Sequence, residues 1–252
     1  MNKEGVMYIA TGERYVKAAV RSARTVVQRN PGLAIHLFTD RKSMESTFKG
    51  SLSPFSSIDV IENPYQRSKV DYMSRTPYER TLFLDADTAV IADIREVFRV
   101  LERFDIGLAH AMHRGPNRLK AIRLQLPAAF PEFNTGVILY RKNEGVIRLL
   151  KEWEGFFKEM GMDEENDQTT LRELLWASDV RIATLPPEYN VRFLKYHLLW
   201  SRSEATTKIF HLKQFHRGWL FWFNKKTHTT RYFRKLGLGW LVNLIKKVKN
   251  RA

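Results

Sequence analysis

Hydrophobic positions along the chain switch repeatedly between the spacing of a strand and the spacing of a helix. Residues 6–11 form a short apolar run ending at Thr11-Gly12, and the stretch after it puts Val16, Ala19, Val20, Ala23, Val26 and Val27 on one helical face. Asn30-Pro31-Gly32 stops that helix, and residues 34–40 read as a second strand, so the first forty residues predict a β-α-β unit with a parallel pair. Residues 56–61 predict a third strand, and 67–74 a short helix halted at Thr76-Pro77. Thr81-Leu82-Phe83-Leu84 is apolar enough to be covered on both faces, as a central parallel strand is. Asp93-Ile94-Arg95-Glu96 has capping-box spacing and predicts a helix through Val97, Val100 and Leu101. Strands are expected over 105–111 and 133–140, with a helical stretch around 118–126 between two prolines. Amphipathic helices over 143–160 and 167–177 and short strands over 180–185 and 208–212 follow. No internal repeat or low-complexity linker interrupts the alternation. The expected fold class is α/β, a single Rossmann-like domain with a mixed, mostly parallel central sheet.

Composition changes this picture in two places. A chain of 252 residues with 44% hydrophobic content supports one continuous core. With no cysteine, disulfides and thiolate metal sites are excluded, so any metal must take oxygen and imidazole ligands. The first five residues run straight into the first strand without an apolar stretch long enough for a signal peptide or a membrane span, which predicts a soluble or peripheral, cytoplasmic protein. Residues 205–252 carry twelve Lys and Arg and no acid, leaving +3 of the formal +15 on the first 204. The expected division is a globular domain over 1–219 and a basic aromatic, helical tail over 220–252. In the tail, Leu238, Trp240, Leu241, Leu244, Ile245 and Val248 stand against Lys246, Lys247 and Lys249, after an aromatic cluster at 219–223. That pattern predicts a basic amphipathic helix on an anionic membrane surface, the inner face of a membrane; a helix packed on the core with a solvated lysine face is the plainer alternative. Nucleic acid would feel the same positive field, but the body is near neutral and shows no nucleic-acid-binding motif.

The candidate chemistry lies at Asp85-Ala86-Asp87, directly after the apolar strand. In an open α/β sheet, ligands bind beyond the carboxyl ends of the strands. Two carboxylates separated by one small residue can both turn toward a hard divalent cation, Mn²⁺ or Mg²⁺, which keeps coordination positions for a nucleotide diphosphate. A bare surface turn would also use Asp. The four-residue apolar strand before the motif and Thr88-Ala89-Val90-Ile91 after it favour the metal reading.

Leu82-Phe83-Leu84-Asp85-Ala86-Asp87-Thr88 resembles the aspartate motif of GT-A glycosyltransferases, and the order of motifs over about residues 5–219 resembles glycosyltransferase family 8, the group of glycogenin and the bacterial lipopolysaccharide galactosyltransferases. The opening Tyr8-Ile9-Ala10-Thr11-Gly12-Glu13-Arg14-Tyr15 is similar to the family's nucleotide-binding strand and turn, which implies that Ala10, Thr11 and Tyr15 hold base and ribose. Lys69 stands where the family aims a basic residue at the donor. Phe133-Asn134-Thr135-Gly136-Val137 resembles its Asn-x-Gly segment beside the donor sugar, with Gly136 and Ala86 in the donor-binding set. Asn166-Asp167-Gln168 resembles its Asp-Gln pair at the reacting face, which makes Asn134, Asp167 and Gln168 the implied catalytic residues. His211, five residues ahead of Arg217-Gly218-Trp219, resembles the family's His-x₅-Lys-Pro-Trp ending. It would be the third metal ligand beside Asp85 and Asp87, with Arg217 replacing a lysine at the diphosphate and His216 as a competitor.

Each residue also has a plain structural explanation. Asn134 can satisfy backbone groups at a strand end, Gly136 can serve close packing, and Asp167 can cap a helix. The resemblance as a whole implies a metal-dependent enzyme that moves a sugar from a UDP-sugar to a glycan or lipid-linked acceptor with retention. Two other readings stand beside it: a non-catalytic polyanion-binding protein acting through its basic tail, and a nucleotidyltransferase, for which Thr11-Gly12-Glu13-Arg14 is a poor glycine-rich loop.

Overall fold

Successive side chains of the first strand, β1 (Glu4–Ile9), feed two different cores. Val6, Tyr8 and Ala10 join one apolar cluster, and Met7 and Ile9 join another. β4 (Arg80–Leu84) repeats the pattern, with Leu82 and Leu84 on one side and Phe83 on the other. The run of consecutive apolar residues in each strand, 6–9 in β1 and 82–84 in β4, therefore sits between two covered faces, as its sequence demands. The computed structural model describes residues 3–65, 67–111, 121–161, 166–201 and 203–217.

The elements follow as α1 (Glu13–Arg29), β2 (Ala34–Asp40), α2 (Arg41–Thr47), β3 (Ser57–Ile61), α3 (Lys69–Tyr72), β4, β5 (Thr88–Val90), β6 (Ile106–His110), β7 (Phe133–Arg141), α4 (Glu144–Glu159), α5 (Asn166–Ala177), β8 (Ile182–Thr184), α6 (Leu194–Leu199) and β9 (Ile209–His211). Seven strands make one sheet in the order β3-β2-β1-β4-β7-β6-β8, and β5 pairs with β9 in a separate ribbon. Within the large sheet β7 runs antiparallel to both neighbours, β4 and β6, while the other described pairings are parallel. The mixed, mostly parallel α/β sheet expected from the sequence is the observed one. α1 and the 3-10 segment Arg95–Glu102 cover one face through Val16, Ala19, Ala23, Val26, Val97, Phe98 and Leu101. α3, α4 and α5 cover the other through Val70, Val146, Leu149, Leu150, Trp153, Leu171 and Leu175. Each fully buried aliphatic of this kind contributes roughly 1.5–3 kcal/mol.

Two sequence expectations are corrected. The segment after Asp93 is a 3-10 turn run and not a capped α-helix. The Asp93 carboxylate is taken up by the Arg95 amide and guanidinium, and Glu96 turns to Tyr189 and Lys208, so neither half of a capping box forms. The expected helix around 118–126 is not helical over 121–126, and residues 112–120 lie outside the described set. There the amides of Ile122, Arg123 and Leu124 donate to the buried Glu173 carboxylate of α5. Donors spent on that carboxylate do not serve the i−4 carbonyls of a helix. The tail over 220–252, with its expected amphipathic helix, lies outside the described residues. No helix among those residues is long and apolar enough to cross a membrane.

Candidate functional site

β1, β2 and β4 run parallel, so their carboxyl ends open on one side of the sheet, with Asp40 the last residue of β2 and Ala10 and Asp85 just beyond β1 and β4. The chain breaks from β4 at Asp85, whose amide still donates to Gly136 of β7 at 2.8 Å. A one-way relay of hydroxyls fixes the turn. The Asp85 carbonyl can only accept, so Thr88 donates to it at 2.8 Å, Ser22 donates to Thr88 at 2.7 Å, and Tyr8 donates to Ser22 at 2.8 Å. The Asp85-Ala86-Asp87 turn is thus held from α1 and β1 at once.

His211 reaches the turn through the small ribbon. Thr88 of β5 lies opposite His211 of β9, and the Leu212 amide donates to the Asp87 carbonyl at 3.0 Å. One ligand atom from each of Asp85, Asp87 and His211 lies within 4.8 Å of the other two. His211 Nε2 is 3.1 Å from Asp87 Oδ1 and 3.6 Å from Asp85 Oδ2. Asp87 and His211 are buried, and Asp85 is partly open. Burial alone would push the Asp87 carboxyl up, but the charge and hydrogen bonds of His211 and His216 outweigh it and hold the group far below the usual carboxylate range. Of the two carboxylates His216 approaches Asp87, at 3.3 Å on Oδ2, whereas His211 faces both.

The orientation of the imidazole follows from a chain of amides. The Gly136 N–H donates to Asn134 Oδ1 at 3.1 Å, which fixes which end of that side chain is oxygen. Asn190 Nδ2 donates to the same oxygen at 2.9 Å, leaving Asn190 Oδ1 to face His211 Nδ1 at 3.0 Å. Nδ1 is therefore the nitrogen that donates to Asn190, and Nε2 is the one turned to the two carboxylates, where a metal would be ligated. Two carboxylates and an imidazole nitrogen, converging on one point, form an oxygen-and-nitrogen set fit for a divalent cation. Gly136 is forced by the same crowding: a Cβ there would lie 1.9 Å from His211 Cε1 and 2.7 Å from Asp85 Oδ2.

A second charged knot adjoins the first. Lys69, only 7% exposed, spans Asp85 Oδ1 at 3.5 Å and Asp167 Oδ2 at 3.2 Å, and donates to Thr135 Oγ1 at 3.1 Å. Thr135 in turn donates to Asp167 at 2.9 Å, and Arg67 lies 3.7 Å from the same oxygen. Burial opposes ionisation of Asp167, yet Lys69, Arg67 and the Thr135 hydroxyl outweigh it and keep the carboxyl below its ordinary value. The buried Trp153 indole donates to the Asp167 carbonyl at 3.0 Å, tying α4 to the first turn of α5. Asp167 stands inside α5 with its carboxylate turned to Lys69 and Thr135, so the capping explanation for it does not hold. Asn134 keeps its backbone role toward Gly136 and also donates to Gln168 at 3.1 Å.

The turn after β1 is built from backbone. Gly12, at φ +84°, opens α1 and donates its N–H to Asp40 at 2.7 Å; the Thr11 hydroxyl donates to the Tyr65 carbonyl at 3.3 Å. Tyr15 is 37% exposed and packs edge-on against His216 at 4.9 Å, which links it to Asp87. Arg217 ends the 3-10 segment Lys213–Arg217, and its side chain, with Gly218 and Trp219, lies outside the described set. The structure therefore gathers Asp85, Ala86, Asp87, His211, Lys69, Asn134, Gly136, Asp167 and Gln168 at one end of β4 and β7, with Ala10, Thr11 and Tyr15 on the neighbouring strand end. Asn190, Thr135, Arg67 and Arg192 join them without having been singled out by any motif. Asn190 carried a faint signal, a polar residue directly after Pro186-Pro187-Glu188-Tyr189, but no periodicity marks it.

With this geometry in place, comparison with known proteins is informative. No curated protein matches the sequence. Among solved structures, an active-site mutant of LgtC is similar at TM-score 0.63 and 12% identity over 89% of this chain and 94% of that one. The galactosyltransferase LgtC in complex with donor and acceptor sugar analogues is similar at 0.55 and 13%, over 83% and 87%. The glycosyltransferase GlyE of Streptococcus pneumoniae TIGR4 gives 0.57 and 16% over 84% of this chain, which spans only 54% of the GlyE chain. At these identities the likeness is one of fold, the GT-A fold. Residues 80–216, more than half of the chain, match the nucleotide-diphospho-sugar transferase family, and that stretch contains Asp85, Asp87, Asn134, Asp167 and His211. The non-catalytic and nucleotidyltransferase readings give way to this match: the chain belongs to the nucleotide-diphospho-sugar transferase family and is a glycosyltransferase of GT-A fold.

Proposed function

We propose that the protein transfers a sugar from a UDP-sugar to a hydroxyl of a glycan or lipid-linked acceptor, with retention at the anomeric carbon, using Mn²⁺ or Mg²⁺ held by Asp85, Asp87 and His211. The observation that carries the reading is the convergence of three ligand atoms within 4.8 Å, one of them an imidazole nitrogen on a ring oriented by Asn190. A cation bound there neutralises charge on the departing diphosphate. Ala10, Thr11 and Tyr15 shape the base and ribose side, Ala86, Gly136 and Lys69 face the donor, and the family resemblance assigns Arg217 to its diphosphate. Lys69 is fixed by Asp167 and Thr135, so its ammonium is aimed before the donor arrives. Asn134 and Gln168 hold each other beside the sugar, with Gln168 the more open member of the Asp167-Gln168 pair.

In the reaction the anomeric carbon–oxygen bond to the diphosphate breaks and a bond to the acceptor oxygen forms. The acceptor proton passes to the departing diphosphate. The anionic-membrane reading of 220–252 belongs to this proposal too, since a lipid-linked acceptor would suit an enzyme resting on a membrane face. Vesicles of anionic lipid should sediment the full chain and release it after truncation at about Thr229; equal recovery of both forms in the supernatant would refute that part. The donor is tested by thermal shift with UDP-, GDP- and CDP-sugars, with and without Mn²⁺. Stabilisation by a UDP-sugar that depends on Mn²⁺ is expected, about 2.7 kcal/mol at a hundredfold excess over Kd. Stabilisation indifferent to metal, or by none of the panel, would overturn the reading.

A further inference from the structure

His211 Nε2 has a second claimant. Arg192 Nη1 lies 2.5 Å from it, and among the described residues this is the one hydrogen-bonding partner of a half-buried guanidinium that no carboxylate pairs with. A guanidinium only donates, so the contact needs a lone pair on Nε2. The 3.1 Å approach of Asp87 Oδ1 to the same nitrogen would need a proton there. With Nδ1 committed to Asn190, Nε2 is the nitrogen that both the guanidinium and a metal would have to use. Nε2 has one lone pair, so a metal–Nε2 bond and the Arg192 hydrogen bond exclude each other.

We propose that Arg192 couples metal and nucleotide binding: its guanidinium competes with the metal for His211 Nε2 and, once the metal holds that nitrogen, binds the donor diphosphate. The proposal rests on the sugar-transfer reading above. Reach is the first argument. The Val191 amide donates to Ile209 at 2.9 Å and its carbonyl accepts from His211 at 3.0 Å, so the backbone beside Arg192 is stitched to β9. A displaced guanidinium stays within one side-chain length of the three ligands. Charge is the second argument, because a guanidinium beside a divalent cation is repelled unless an anion of high charge lies between them. Shape is the third: the planar fork of Arg matches two phosphate oxygens, which an ammonium cannot do. Metal alone must therefore displace Arg192 without giving it a new partner, whereas metal with a nucleoside diphosphate supplies one. Each ligand tightens the other, and by the same factor.

The experiment measures free Mn²⁺ by electron paramagnetic resonance with the full chain, with and without UDP, for the wild type, Arg192→Met, Arg192→Lys and Asp85→Asn. Arg192→Met should bind Mn²⁺ alone about tenfold more tightly than the wild type and lose most of the tightening that UDP brings. Arg192→Lys keeps the charge without the fork and should recover only part of that tightening. If Asp85→Asn abolishes Mn²⁺ binding while Arg192→Met leaves the metal affinity and its UDP dependence unchanged, the proposal alone falls. If the wild type binds no Mn²⁺ with or without UDP, the site reading falls and takes the proposal with it. Melting curves of each variant show that a changed affinity is not a lost fold.

Discussion

The two ends of the site are built by different means. At the end of β4, five charged or titratable side chains, Asp85, Asp87, His211, Lys69 and Asp167, are mostly buried and bound to one another and to neutral partners. At the end of β1, the turn through Thr11, Gly12 and Tyr15 is held by two bonds that each join a main-chain group to a side chain, the Gly12 N–H to the Asp40 carboxylate and the Thr11 hydroxyl to the Tyr65 carbonyl, and it presents a partly exposed ring. Burying a charge is costly unless it is paired and hydrogen-bonded, so the first region needs a partner for every lone pair. The second has only to offer shape. Substitutions in the charged knot should therefore act through metal and chemistry, and substitutions in the turn through binding alone.

The largest effect tests the charged end directly. Asp85→Asn or Asp87→Asn should lower kcat by about 10³-fold or more, the loss expected when a charge-neutralising metal worth several kcal/mol goes, while circular dichroism stays that of the wild type. Retained turnover in either variant would remove both residues from the metal site.

One step out from the ligands, Asn190→Ala should weaken Mn²⁺ binding about 10- to 100-fold, because it frees His211 Nδ1 and lets the ring rotate or change tautomer. Asn190→Asp keeps an acceptor for Nδ1 and should recover much of that affinity. An alanine variant with wild-type Mn²⁺ affinity would show that the amide relay does not orient the imidazole.

The acid limb of stability distinguishes the second knot. The Asp167 carboxyl is depressed in the folded chain, so the stability it confers is complete above its unfolded value near 3.9 and is lost as pH falls through the lower folded value. Unfolding free energy should thus fall below about pH 4, and Asp167→Asn should flatten part of that fall. Identical acid limbs in both proteins would place the sensitivity elsewhere, for instance at Asp105, which Arg181 also holds low.

The sequence made the first region legible only in its local parts. Leu82, Phe83 and Leu84 could be read as a doubly covered strand because burial on both faces leaves no polar alternate, and Asp85 and Asp87 stood out against it. α1 was legible because its apolar face repeats over several turns. His211 was reachable only through a spacing resembling a family pattern, since its pairing to Thr88 spans 123 residues and leaves no local trace. Thr135 and Arg192 were silent, and Asn190 nearly so, for the same reason: each is a polar residue whose partner lies far along the chain. The departures from α-helix at 95–102 and, in the described part of the second segment, at 121–126 have one cause. Asp93, Glu96 and the amides of 122–124 were given to Arg95, Tyr189 and Glu173, which a local pattern cannot foresee.

The smallest effect belongs to the turn after β1. Tyr15 packs edge-on against His216, has the Arg14 guanidinium 5.8 Å from its ring centre and remains partly exposed, and it belongs to none of the charged groups at the metal ligands. A ring in contact with base or ribose holds the donor equally in the ground state and the transition state, and removing such uniform binding raises KM without lowering kcat. Tyr15→Ala should therefore raise the KM for the nucleotide sugar about three- to tenfold, roughly 0.7–1.4 kcal/mol of lost binding, with kcat within twofold of the wild type. Thr11→Ala should do less, because its hydroxyl already spends its proton on the Tyr65 carbonyl. A fall in kcat for Tyr15→Ala would mean that its contact with His216 reaches Asp87 in the reacting complex, and the division between a charged end that acts on chemistry and a turn that only binds would no longer stand.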